Sequence, residues 1–195
     1  MNTQFDHNNE DSRLYVQLQP DSASRAHLLS VQSNLNASGI NVIQDQLHMT
    51  IIHFGVIKNV LAQISESDAV KCAALDTYVQ QTQQILDNVG EKLFVVSPKR
   101  LSLFGRNEST IVIEYEPTDD LIDLHTQCLS ALYDFFKSLN VADPVKYMMR
   151  DHNFKFALHL RPHVTLIKRV RETITIDIKK PQLDKIMLRP MKLIY

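Results

Sequence analysis

Two short runs of this chain hold the residue types needed for proton transfer. In Arg161-Pro162-His163-Val164-Thr165-Leu166-Ile167-Lys168-Arg169, polar and apolar residues alternate after a proline that can only start or edge a strand. Side chains two apart on a strand share a face, so His163 and Thr165 point one way while Val164 and Leu166 point the other. Gln46-Leu47-His48-Met49-Thr50-Ile51-Ile52 repeats the pattern, with His48 and Thr50 on one face and Leu47, Met49 and Ile51 on the other. Imidazole titrates near neutrality, so one ring can serve as base while a second, still protonated, serves as acid. A hydroxyl beside each ring can donate to an oxygen that gains charge during reaction.

The chain has eight histidines, and the other six lack a Ser or Thr two residues on. The matching pair lies 115 residues apart, near opposite ends, as a two-lobed domain would need to bring two imidazoles face to face. A strand histidine is also commonly a hydrogen-bonded structural residue, and threonine favours strands on its own account. Only the shared register of His and Thr, found twice, sets these four apart.

His48-Met49-Thr50-Ile51-Ile52-His53-Phe54-Gly55 resembles the first signature of the two-histidine (2H) phosphoesterases, and Arg161-Pro162-His163-Val164-Thr165-Leu166 the second. Within that superfamily the chain looks like the LigT-like bacterial RNA 2′,3′-cyclic phosphodiesterases, also called 2′-5′ RNA ligase proteins, over residues 13 to 178. His53 stands where the family usually has an apolar residue, and Lys168 where an arginine is frequent. The resemblance implies paired-histidine acid–base catalysis by His48, Thr50, His163 and Thr165, without metal or other cofactor. It implies an RNA 2′,3′-cyclic phosphate opened to a 2′-phosphate, with 2′-5′ ligation as the reverse-type activity. Cleavage of 2′-5′ or cyclic oligonucleotide signals is the enzymatic alternative, and a binding module for nucleotides or RNA ends the non-enzymatic one. Expected partners are therefore RNA ends, cyclic nucleotides or short oligonucleotides.

The elements that must position these residues can be read in order. Residues 1–12 are polar and predict a disordered tail, leaving 13–195 as one bilobal domain. Leu14–Gln19 alternates as a strand, and Asp21 or Ser22 can cap a helix that ends at Ser38-Gly39. The first signature strand follows, from about Gln46 to Phe54, and then a loop. Ala69–Asn88 repeats at helical spacing before Gly90. Leu93–Ser97, Arg100–Phe104 and Thr110–Glu116 read as strands, and Pro117–Leu139 as a helix. Asn140–His159 has no clear period, although Lys146, Tyr147, Arg150, His152, Phe154 and Lys155 mix cations with aromatics. Ile174–Ile178 and Met187–Tyr195 read as closing strands. The expected class is α+β: two pseudo-symmetric, antiparallel-rich lobes backed by helices, with a cleft lined by the two His-x-Thr strands.

Secondary candidates for substrate contact are Arg161 and Arg169, which a regular pleat puts on the face of His163, together with Tyr15, Gln17, Phe54 and Tyr147. The same regular pleat turns His53 away from His48, and His159 reads as an edge residue. Net charge is −1 and the pI about 6.7, which supplies no global field for duplex DNA. Cys72 and Cys128 are too few for a disulfide scaffold. No apolar run approaches membrane-spanning length, and the polar start is unlike a signal peptide. The expectation is a monomeric cytoplasmic protein.

Overall fold

The structure, a computed structural model, describes residues 13–36, 46–151, 154, 156–170 and 183–191. The tail at 1–12, the helix end at Ser38-Gly39, the strand at Ile174–Ile178, and His152 and Lys155 lie outside the described residues. The chain is α+β, with strands β1 (Arg13–Pro20), β2 (Met49–Val56), β3 (Phe94–Val96), β4 (Pro98–Phe104), β5 (Thr110–Tyr115), β6 (His163–Lys168) and β7 (Ile186–Pro190). Its α-helices are α1 (Ser22–Asn36), α2 (Ile57–Ala62), α3 (Asp68–Val89), α4 (Asp119–Ser138) and α5 (Pro144–Arg150). Among the described residues no helix is long and apolar enough to cross a membrane.

The seven strands form one sheet in the order β3-β7-β1-β2-β6-β5-β4, and every pairing is antiparallel. The signature strands β2 and β6 stand side by side at its centre, joined through Met49 and Val164 alone. That narrow seam divides the sheet into the two expected halves. Leu14, Val16, Leu18, Met49, Ile52, Ile113 and Val164 lie on one face and are at most 1% exposed. Helices supply the apolar cover for this face: Phe54 meets Tyr78 of α3 and Phe135 of α4, and α1 adds Leu28, Val31 and Leu35 to the same core.

Local chemistry sets the helix starts. Asp21 accepts from Ser24 N at 2.8 Å, and Thr118 accepts from Leu121 N at 3.4 Å. The segment expected to be irregular contains α5, capped by Asp143 accepting from Lys146 N, with Pro144 at its first position. Only Pro144 and Met148 are buried in it, too few for a visible helical period. The expected loop after β2 is the short helix α2, which buries Ile57 and Val60.

Two bulges reset the alternation of β2. Gln17 lies opposite Thr50, Val16 opposite Ile52, Tyr15 opposite His53 and Leu14 opposite Gly55, so Ile51 and Phe54 are the extra residues. Leu166 is the extra residue of β6, since Thr165 pairs with Val112 and Ile167 with Ile111.

Candidate active site

The face away from the helices collects the polar strand residues. His163 and Thr165 of β6 are half-buried on it, beside half-buried Thr50 of β2 and His48 immediately before that strand. Both rings are anchored alike. His48 Nδ1 lies 2.9 Å from Gln46 O, and His163 Nδ1 lies 2.7 Å from Arg161 O, each the carbonyl two residues earlier. A carbonyl can only accept, so each Nδ1 carries the proton. Each Nε2 is then the titrating atom: a lone pair when the ring is neutral, an N–H when it is charged.

Burial is the main influence on both rings and holds their pKa below the ordinary value of 6.5. At His48 the Gln46 carbonyl opposes this, while the charges of Lys168 and His163 push further down. At His163 the Arg161 carbonyl and the Glu114 carboxylate pull upward against the Arg161 guanidinium. The imidazoles thus feel one another, but only His163 has a carboxylate neighbour among these influences.

Glu114, the cross-strand partner of His163, is 6% exposed. Its Oε1 accepts from Ser102 Oγ and from Arg100 Nε at 2.9 Å, and its Oε2 from Arg161 Nε at 3.0 Å. Burial favours its neutral form, but the three donors prevail and hold its pKa at about 2. Arg161 also lays its guanidinium carbon 3.9 Å from the centre of the Phe104 ring, which lies 4.9 Å from the His163 ring.

No protein-family model and no curated protein matches the sequence. Solved structures do match the fold. Escherichia coli LigT complexed with phosphate superposes with a TM-score of 0.54 at 13% identity, over 95% of this chain and 97% of that one. The fold is that of LigT. The same protein complexed with 3′-AMP gives 0.51 at 16% identity, over 86% of this chain and 77% of that one. TT0787 of Thermus thermophilus gives 0.55 at 16%, over 92% and 84%. These likenesses agree with the fold that the two signatures implied.

Within this LigT fold, several expected residues fall elsewhere. Phe54 does not reach the histidine face: it is fully buried against Tyr78, Phe135 and Phe154. Tyr147 belongs to the helical layer, 4.9 Å from Phe136, where it lines a cavity of about 430 Å³ with Gln63, Lys146 and Arg150. Arg169 leaves the strand with φ +59°, and the Leu166 bulge gives its expected place to Lys168, opposite Thr110. The bulge at Ile51 likewise turns His53 onto the face of Thr50, where it stacks on Tyr15 at 4.8 Å, so the regular pleat misplaced it. Tyr15 and Gln17 do occupy this face, Gln17 opposite Thr50.

Glu114 with its donors Arg100 and Ser102, and Phe104 beside the His163 ring, were not candidates from the sequence, which noted Lys168 only as standing where an arginine is frequent. A visible signal existed for one of them. Glu114 ends the apolar run Ile111-Val112-Ile113 at a strand position where a carboxylate requires partners.

Proposed function

We propose that the chain is a phosphodiesterase that opens an RNA 2′,3′-cyclic phosphate to a 2′-phosphate, with His48 and His163 sharing the roles of general base and general acid between them. The observation that carries this reading is the matched anchoring of the two rings, each Nδ1 fixed on the carbonyl two residues back. The neutral imidazole accepts a proton from water at Nε2, and the water oxygen attacks phosphorus. The P–O3′ bond breaks, and the other imidazole delivers its Nε2 proton to O3′. Thr50 and Thr165 donate to the non-bridging oxygens as charge grows there. A 5′-hydroxyl attacking in place of water yields a 2′-5′ linkage by the same proton transfers. The solved LigT complexes with phosphate and with 3′-AMP support a ligand of this class.

The test is incubation of the protein in EDTA with 2′,3′-cyclic mononucleotides, followed by identification of the phosphate position in the product. The expected product is the 2′-phosphate. A 3′-phosphate, or activity that vanishes in EDTA and returns with one divalent ion, would contradict the reading.

A further inference from the structure

Glu114 holds two arginines with one carboxylate. Lys92 with Asp120 at 2.7 Å and Lys99 with Glu116 at 3.4 Å are, by contrast, pairs of one cation with one carboxylate. At Glu114 each arginine bonds through Nε, one to each carboxylate oxygen, and the fork is left with a surplus positive charge. The arginine side chains are 61% and 59% exposed, whereas the carboxylate is 8% exposed. The acid is therefore sunk in the sheet, and the bonds described for each guanidinium engage Nε and leave its terminal nitrogens to a ligand. Planar guanidinium groups match phosphate oxygens in pairs.

The position of the fork matters as much as its charge. Arg100 pairs across the ladder with Glu114, and Glu114 with His163, so the three form one row across β4, β5 and β6. Two strand spacings separate Arg100 from His163, on the order of 10 Å. The backbone of Arg100 thus lies on the far side of Glu114 from His163, where an anion would be a second group beside one reacting between the histidines. Arg161 spans the gap, bonded to Glu114 and stacked on the Phe104 ring that also touches His163.

We infer that Arg100 and Arg161, splayed by Glu114, form a second phosphate subsite that binds the backbone of an RNA oligonucleotide next to its reacting end. This rests on the phosphodiesterase reading above and narrows its substrate from cyclic mononucleotides to longer chains.

The experiment compares the wild type with Arg100→Gln on a 2′,3′-cyclic mononucleotide and on an RNA trinucleotide ending in a 2′,3′-cyclic phosphate. The trinucleotide-to-mononucleotide ratio of kcat/KM should fall about ten- to hundredfold in the variant. Binding of an unreactive trinucleotide should weaken, with a log–log salt slope shallower by about 0.7. An unchanged ratio and unchanged binding in a variant of wild-type Tm would overturn the subsite while leaving the chemistry standing. Arg100-dependent trinucleotide binding without turnover of either substrate would keep the subsite and remove the phosphodiesterase reading. Neither turnover nor binding would remove both.

Discussion

His48 and His163 share their backbone anchor but not their charged neighbours. Lys168 and the partner imidazole push His48 down, whereas Glu114 partly restores His163. Two interacting rings titrate as a pair, and the form with one proton between them is the one that supplies an acid and a base together. Burial puts both rings below the ordinary imidazole value, so deprotonation of the pair is complete earlier in a pH titration than for free histidine. The pH profile of kcat/KM, which reports the free enzyme, should therefore be a bell with its maximum below about pH 6.5. Activity should fall as pH rises through the upper limb, because the acid has lost its proton. A maximum at or above about pH 8 would contradict the assignment.

At the scale of the elements, alternation was legible and its interruptions were not. Period-two patterning holds from His163 to Thr165, which pair without a bulge to Glu114 and Val112, while His48 stands just before β2, two residues from Thr50. Beyond Thr50 and Thr165, single inserted residues reverse the parity, which exchanges Arg169 for Lys168 and brings His53 to the histidine face. A bulge has no fixed residue signature when its inserted residue is isoleucine, phenylalanine or leucine, as here. Phe54 is the clearest consequence: it is a core residue packed by rings from α3, α4 and Phe154. Phe54→Ala should destabilise the protein by about 3–5 kcal/mol in denaturant titrations. Lost substrate affinity without lost stability would instead place Phe54 against the substrate.

Across the whole molecule, a net charge of −1 conceals an uneven distribution. Among the described residues, the strands carry Arg13, Lys99, Arg100, Lys168 and Arg189, while Glu114 is their one acidic residue. Of the cations on and beside the sheet, Lys168 acts on His48, Arg161 acts on His163, and Arg100 shares the cross-strand row of His163. Composition could not show this, because among the described residues every acidic side chain except Glu114 lies outside the strands. The α+β class was legible because most elements have clear periods and the signature strands fall in separate halves of the chain. The side-by-side placement of β2 and β6 was not, because a single cross-strand pair joins them and neither strand advertises its neighbour.

The central claim is that these two rings form one acid–base pair. Its most direct test is turnover of a 2′,3′-cyclic phosphate substrate by His48→Ala and by His163→Ala, with each variant's Tm measured alongside. Each substitution should lower kcat by about 100-fold or more while Tm stays near that of the wild type. Near-wild-type rates in both folded variants would contradict the account.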